Sequence, residues 1–294
     1  KTVQFTWFFL LFNPFTLLTT TAWGQFDTFI VLLCVWGLYL LNKGKTVQSA
    51  FLLAVSFVFK PISLPLLGLP ILFAPRNRRK KAVSLLVIAG VVLVLGILPF
   101  YVLGWVMPAS SAEVSSFFGM VGGMTVFNVL DVFVRSAELP AGLWFLGYLW
   151  VPALIVAYVW VYRNPPKTMI ALVQCAVVLL LAFFLFRSWL SEQNINLLLP
   201  FLLILLGAGT ITKKLFHLAW LVPLFFLVLN ASLPQLFFLV DPSVIAWKEA
   251  FDVDFGTARL AARFVVTLVW YIVAVAILLK TVSASNKSRN KAAT

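Results

Sequence analysis

The residues of this chain that could bind or transfer a substrate are few, and they lie at the ends of long apolar stretches. An amide and a carboxylate, Gln25 and Asp27, stand two positions apart in the motif Trp23-Gly24-Gln25-Phe26-Asp27. Asn13 precedes this motif, and Lys60-Pro61 follows one predicted hairpin later. A carboxylate can accept a proton, and an amide or an ammonium can hold oxygen atoms of a substrate. Because polar groups near lipid are costly unless they are paired or used, this group predicts a site.

A second polar group lies much later, around Arg187 and Glu192. Arg187 ends an apolar stretch, and Glu192-Gln193-Asn194 precede the next one. An arginine suits a phosphate group because its guanidinium can donate two parallel hydrogen bonds. In the predicted site, Asp27 is the candidate catalytic carboxylate. The candidate substrate-binding or phosphate-binding residues are Gln25, Lys60, Arg187, Glu192 and Asn13.

Each of these residues also has a purely structural explanation. Lys60 and Arg187 could extend from helix ends to the membrane surface. Asp27 and Glu192 could stabilise the first turns of the helices that follow them, where an acid interacts favourably with the helix dipole. The functional prediction rests on the whole set, since three separate hairpins place carboxylates, amides and cations at one depth.

The elements that must position these residues are membrane helices. Of the 294 residues, 63% are hydrophobic and only 11% are charged, which excludes a soluble domain and a disordered chain. The apolar runs and their breakers predict an all-α, polytopic membrane helix bundle of about ten spans. We expect residues 1–280 to form the transmembrane domain and 281–294 a basic cytoplasmic tail. We also expect the chain to be truncated at its N-terminus, because its first apolar run is too short for a span.

The net charge of +13 is distributed as it is in membrane proteins. Most basic residues occupy short loops between apolar runs. This pattern predicts how the helices are oriented in the membrane, and it is not the basic stripe of a nucleic-acid-binding protein, so we expect no nucleic-acid partner. The basic clusters at 43–45 and 76–81 both belong inside, so the chain must turn at Lys60-Pro61, where proline interrupts a helix. All nine acids then lie outside, together with the candidate site.

The motifs resemble those of a known group of enzymes. Asn13-Pro14, then Trp23-Gly24-Gln25-Phe26-Asp27, then Phe57-Val58-Phe59-Lys60-Pro61 resemble the integral-membrane mannosyltransferases related to the second GPI mannosyltransferase. These belong to the GT-C superfamily, whose members use polyprenyl-phosphate sugars. The resemblance is best over residues 13–75. A later family element matches only at its glutamate, within Ser191-Glu192-Gln193-Asn194.

The resemblance implies a GT-C-like multi-pass enzyme with an extracytoplasmic active site, in the plasma membrane of a prokaryote or the endoplasmic reticulum of a eukaryote. It implies inverting transfer of a hexose such as mannose from a polyprenyl-phosphate-linked donor to an acceptor glycan, lipid or protein. No cofactor is certain, and no divalent metal is expected to be required. Lys60 and Arg187 would stabilise the leaving phosphate. The main base would lie upstream of this sequence, which leaves Asp27 as a binding residue or a secondary acid.

Two other classes of protein stay open at this stage. A transporter or lipid flippase should carry polar or broken helices near the middle of the membrane, whereas the polar groups here gather at the outer ends. A non-catalytic subunit of a transferase complex would have the same fold without a base. Membrane lipids are the expected surroundings in every case.

Overall fold

A computed structural model gives the fold of the chain. It describes residues 8–9, 12–22, 25–73, 78–104, 120–128, 141–231 and 241–293. Helices dominate these residues, and several of the helices are strongly apolar, which confirms the predicted all-α membrane class.

The first part of the chain forms a helical hairpin. Helix α1 (Pro14–Leu17) continues as a wider π-helical turn (Leu18–Ala22), and α2 (Asp27–Asn42) and α3 (Thr46–Phe59) then pack against each other. The tight turn between α2 and α3 contains Gly44 with a φ of 73°, a conformation that suits glycine.

The chain leaves α3 at Lys60-Pro61, so the predicted break is confirmed. A 3-10 helix (Pro61–Leu66) and α4 (Leu69–Phe73) follow and pack on α3.

The other elements complete a bundle with a small parallel ladder. Helix α5 (Arg78–Val91) continues through a π-helical segment (Val92–Ile97) into α6 (Leu98–Val102). Strand β1 (Gly122–Gly123) follows, then a 3-10 helix (Ala141–Tyr148), α7 (Trp150–Arg163) and α8 (Met169–Leu185). The last elements are β2 (Trp189–Leu190), a 3-10 helix (Glu192–Leu197), α9 (Leu199–Gly207), α10 (Lys213–Ala231) and α11 (Val244–Ala293). Strands β1 and β2 pair in parallel, with Gly122 opposite Trp189 and Gly123 opposite Leu190.

Helix α8 lies at the centre of the bundle. All of its residues from Leu172 to Leu185 are buried, and α2, α7, α9 and α11 pack around it. An apolar helix of this kind needs neighbours on every side, and those four helices supply them. The end of α8 therefore has a fixed place in the bundle, and it determines where Arg187 lies.

Within the described ranges, four helical segments are long and apolar enough to cross a membrane: Arg78–Val102, Phe145–Arg163, Lys213–Asn230 and Val253–Lys287. Helices α2, α3 and α8 are also apolar but belong to a shorter class of 10–17 residues. The described residues thus form a membrane protein, while the count of about ten spans stays a prediction. Helix α11 continues past residue 280 into the predicted tail 281–294, and the division between domain and tail also stays a prediction.

Candidate functional site

Asp27 and Lys60, which the sequence places at one depth, form an ion pair in the structure. Lys60 Nζ donates a hydrogen bond to Asp27 Oδ1. Asp27 is the first residue of α2 and Lys60 follows the last residue of α3, so the hairpin brings the two side chains to the same end. The other carboxylate oxygen, Asp27 Oδ2, is buried and has no hydrogen-bond partner among the described residues. Asp27 therefore keeps one acceptor for a further hydrogen bond.

The helix-capping explanation for Asp27 is only partly supported. Asp27 lies in the first turn of α2, where its charge suits the helix dipole. Phe26 occupies the N-cap position, however, and no side-chain capping bond forms there. The carboxylate is bonded to Lys60 instead, so the pairing between the two helices explains its orientation better than capping does.

Asn13 begins α1 and belongs to a buried network of amides and hydroxyls. Asn13 Oδ1 caps the helix by accepting from the Thr16 amide at 3.1 Å. Thr16 Oγ1 donates to Asn196 Oδ1 at 3.3 Å, and Asn196 Nδ2 donates to Thr19 Oγ1 at 2.6 Å. Asn13 Nδ2 is buried without a partner in the described part of the chain. The network attaches the N-terminal segment to the 3-10 helix that begins with Glu192.

Gln25 connects this network to Asp27 through the backbone. The Gln25 amide donates to the Thr19 carbonyl oxygen at 3.2 Å, and the Gln25 side chain is half-buried. Trp23 and Gly24, the first two residues of the predicted motif, lie outside the described residues.

Glu192 is buried, and its neighbours come from the two helices near the end of the chain. Asn230 Nδ2, on α10, donates to Glu192 Oε1 at 3.3 Å. Arg263, on α11, lies close enough for its charge to act on Glu192. The Arg263 guanidinium is 5.5 Å from the centre of the Phe226 ring, one turn before Asn230 on α10. Glu192 is thus held in place by long-range contacts, and does not merely start the helix that follows it.

Arg187 lies in the loop after α8, and contacts on both sides fix its backbone. Before it, Tyr271 Oη on α11 donates to the Leu185 carbonyl oxygen at 2.9 Å. After it, the Ser188 carbonyl oxygen accepts from the Gly122 amide at 3.2 Å. The loop is therefore tied to α11 on one side and to strand β1 on the other.

No carboxylate pairs with Arg187 in the part of the chain that the structure describes. Its guanidinium lies 5.0 Å from the centre of the Phe183 ring, within the range of a cation–π interaction. Burial lowers the pKa of Arg187 to about 10, so the side chain is still protonated at neutral pH. A half-buried cation with no carboxylate beside it attracts an anion, and a guanidinium suits phosphate.

The structure brings most of the predicted residues together. The Asp27–Lys60 pair and the network of Asn13 are linked through Gln25, and α2 also packs against the 3-10 helix of Glu192. Arg187 precedes that 3-10 helix along the chain. Among the described residues, no hydrogen bond or ion pair joins Arg187 to Asp27 or Lys60.

Asn196, Asn230 and Arg263 contribute to this region, and sequence reasoning missed them. Asn196 bonds to a residue 177 positions away, so nothing in its own neighbourhood indicates the contact. The one available signal was an amide within an apolar run, which is costly in a membrane protein unless it has a partner.

The family model of Glycosyltransferase family 87 matches residues 2–210, more than half of the chain. This chain belongs to glycosyltransferase family 87. The matched region of this family 87 protein contains all the predicted site residues, from Asn13 to Glu192, while Asn230 and Arg263 lie beyond it. Membership confirms the prediction of a membrane glycosyltransferase. The closer relationship to the second GPI mannosyltransferase is not confirmed and stays a prediction.

No curated protein and no solved structure matches the family 87 chain significantly.

Proposed function

We propose that this glycosyltransferase moves a hexose such as mannose from a polyprenyl-phosphate donor to a lipid-linked or protein-linked acceptor on the outer side of the membrane. An acceptor oxygen attacks the anomeric carbon, and the bond from that carbon to the phosphate oxygen breaks with inversion. The acceptor proton passes to a carboxylate, and the polyprenyl phosphate leaves as an anion. Family membership supports sugar transfer, and the segregation of acidic and basic residues supports an outer site.

The charge of Arg187 is the observation that best supports a donor in which the sugar is linked to a phosphate. A phosphate that leaves a sugar gains negative charge, and a fixed cation in a poorly hydrated site stabilises that charge. Arg187 is half-buried, has no carboxylate partner among the described residues and follows the end of an apolar helix. A phosphate at this position could have its lipid chain in the membrane beside the bundle.

Lys60 contributes less to phosphate binding in this proposal than Arg187 does. Its ammonium is paired with Asp27, so the net charge of the pair is close to zero and its attraction for an anion is weak. An ammonium has three donors, however, and those not used by Asp27 can bind oxygen atoms of the sugar or the phosphate.

Asp27 binds the substrate in this proposal rather than removing the acceptor proton. One of its oxygens, Oδ1, already accepts a hydrogen bond from Lys60 Nζ, and this contact between α2 and α3 supports a binding and structural role. Its unpartnered oxygen, Oδ2, can still accept a hydrogen bond from a sugar hydroxyl group.

Sugar transfer in membranes tests the proposed donor. With polyprenyl-phosphate mannose as donor, Arg187→Ala should lower transfer by roughly 100-fold or more, because one fixed donor to the developing charge is lost. Arg187→Lys should recover part of the loss, since it keeps the charge without the paired hydrogen bonds. Arg163→Ala, at an exposed arginine that ends α7, is the matched control and should leave transfer unchanged.

Two results would contradict the proposal. One is undiminished transfer by Arg187→Ala. The other is transfer from a nucleotide sugar in place of the lipid-linked donor.

A further inference from the structure

A groove opens on the surface formed by α2, α3 and α5, at the end of the α2–α3 hairpin opposite Asp27 and Lys60. Its volume is about 660 Å³. It is lined by residues near the end of α2 and the start of α3, whereas Asp27 starts α2 and Lys60 follows α3. The groove is therefore a separate feature from the candidate transferase site.

The polar side chains that line the groove all lie at its turn end. Lys45, Gln48 and Tyr39 lie near the turn between α2 and α3, with Leu40 and Val47 beside them. Trp36 and Phe51 lie about one helical turn further in. Trp36, Tyr39 and Phe51 are 51%, 49% and 48% exposed, so three aromatic side chains are half uncovered in one place. This order of groups matches a molecule with a polar head and a hydrocarbon chain.

Positive charge surrounds the polar end of the groove. Lys43 Nζ lies 5.6 Å from the centre of the Tyr39 ring, and both Lys43 and Lys45 are exposed. Asp27 is the one acidic residue of the α2–α3 hairpin, and it lies at the other end. The polar end of the groove therefore favours an anionic headgroup.

Helix α5 adds more positive charge on the same side. Val87 of α5 lines the groove together with Phe51, and Gly96, in the π-helical segment that continues α5, lies next to Val58. Helix α5 therefore runs in the same direction as α3. The start of α5, Arg78–Lys81, is exposed and lies about 9–14 Å before Val87 along the helix axis. These basic residues thus lie beyond the mouth of the groove, on the side of Lys45.

We propose that the groove binds one anionic glycerophospholipid, with its phosphate at Lys45 and Gln48 and an acyl chain against Trp36 and Phe51. The depth order of polar and apolar groups fits such a lipid, and so does the charge around its mouth. A second copy of this chain fits the groove poorly, because a symmetric contact would bring two sets of lysines and arginines together. In the predicted orientation, this end faces the inner leaflet, where juxtamembrane basic residues bind anionic lipids.

Native mass spectrometry of the protein in detergent tests the proposal, with dioleoyl phosphatidylglycerol and dioleoyl phosphatidylcholine as probes. We expect phosphatidylglycerol to be retained more strongly than phosphatidylcholine by the wild type. Lys45→Ala should weaken phosphatidylglycerol binding about fivefold and leave phosphatidylcholine binding unchanged. Lys45→Gln should act in the same way, and it keeps most of the length of the side chain in case Lys45→Ala folds poorly. Lys167→Ala, at an exposed lysine in another basic loop, is the matched control.

Quenching of tryptophan fluorescence locates the bound lipid. Subtracting the signal of Trp36→Phe from that of the wild type isolates the emission of Trp36. Brominated phosphatidylglycerol should quench this emission in the wild type, and less in Lys45→Gln at the same lipid concentration. Equal retention of the two lipids, an unchanged affinity in both Lys45 variants, no quenching of Trp36, or a dimer that excludes lipid would each overturn the proposal.

Discussion

In the Asp27–Lys60 ion pair, each charge offsets the cost of burying the other. Asp27 is buried, and a buried carboxylate that loses its cation keeps the cost of desolvation without the compensating attraction. The Lys60 side chain is 22% exposed, so it could reach water without its partner more easily than Asp27 could. The loss of Lys60 should therefore be more harmful to the fold than the loss of both charges.

Unfolding measurements can test this asymmetry. Lys60→Ala should lower the free energy of unfolding by about 3 kcal/mol, because it leaves the Asp27 charge buried and unpaired. The double variant Asp27→Asn/Lys60→Ala should recover a large part of that loss, because neither charge is present. The measurement is denaturation by sodium dodecyl sulfate in mixed micelles, followed by circular dichroism.

Lys167→Ala serves as the control for this cycle. It removes an exposed lysine in the loop before α8 and should change the free energy of unfolding by less than about 0.5 kcal/mol. A double variant less stable than Lys60→Ala would show that the two side chains are not coupled as described.

The sequence predicted how deep Asp27 and Lys60 lie relative to the membrane better than it predicted which residues they bond to. Charge parity and the proline at position 61 placed Lys60 level with Asp27, because both signals are local. The direct bond between them, and the bonds from Asn196 to Thr19 and from Asn230 to Glu192, depend on how distant helices pack. No local pattern in the sequence contains that information.

At the scale of elements, Tyr158 of α7 fixes the segment that follows Lys60. Tyr158 Oη donates to the Pro65 carbonyl oxygen at 2.7 Å and accepts from the Gly68 amide at 3.1 Å. A Cβ atom at position 68 would collide with the Tyr158 ring, so glycine permits this close approach. One hydroxyl group therefore joins the 3-10 helix Pro61–Leu66 and the start of α4 to α7.

Removal of that hydroxyl should loosen the segment. We expect Tyr158→Phe to lower the free energy of unfolding by about 1–3 kcal/mol, because a buried carbonyl and a buried amide lose their partner. Tyr162→Phe is the matched control: Tyr162 lies one turn later on α7 and is 71% exposed, so its hydroxyl group should matter little. The same denaturant titration compares the two variants, and equal stability would argue against this role for Tyr158.

The ladder beside Arg187 depends on a glycine. Gly123 has a φ of 61°, and a Cβ atom there would overlap the Leu190 carbonyl oxygen. Gly123→Ala should therefore break the bond from the Met124 amide to Leu190, which is 2.8 Å long, and speed hydrogen exchange at Met124. Sugar transfer should fall with it, because the ladder that ties the loop of Arg187 to β1 is weakened.

Gly207→Ala provides the comparison for the ladder variant. No atom lies within 4 Å of a Cβ atom at position 207, so this change should affect neither hydrogen exchange at Met124 nor transfer. Slow exchange at Met124 in Gly123→Ala would contradict the role assigned to the ladder.

These elements differ in how well they could be predicted. The end of α3 was predictable because proline acts on its own neighbourhood. The parallel ladder was not, since β1 consists of two glycines and carries no alternation of polar and apolar side chains. Its partner strand also lies far away in the sequence, after α8.

At the scale of the whole molecule, the longest helix has acidic residues only near its start. Helix α11 extends from Val244 to Ala293, which corresponds to about 75 Å and exceeds the thickness of a bilayer. Its acids, Glu249, Asp252 and Asp254, lie near the start, and its last turns contain several basic residues. The start of this helix should therefore lie outside the cell or in the lumen, and its end in the cytoplasm.

Labelling with a membrane-impermeant maleimide tests this orientation. Asp241→Cys, just before α11, should react in intact cells, whereas Lys167→Cys and Lys213→Cys should react only after the membrane is permeabilised. All three positions are exposed. The wild type is the control, because its two cysteines, Cys34 and Cys175, are buried and should remain unlabelled in both conditions. Reaction of Lys167→Cys in intact cells would reverse the predicted orientation.

Composition alone was enough to predict the membrane class, but not the number of spans. An apolar content of 63% excludes a soluble fold whatever the arrangement of helices. Helices α2, α3 and α8 are shorter than a typical span, and a helix of that length can cross a locally thinned bilayer, enter it partly or lie inside the bundle. Packing decides between these arrangements, and a hydropathy pattern does not record it.

The ladder between β1 and β2 also has a consequence for the order of folding. Two residue pairs cannot offset the entropy of closing a long loop, so the strands have no stable pairing of their own. The pairing becomes favourable only after α8 and α11 have packed and brought Trp189-Leu190 to a fixed place. The loop of Arg187 is therefore among the last parts of the protein to reach its final shape, and a newly inserted chain should acquire its helices before it acquires activity.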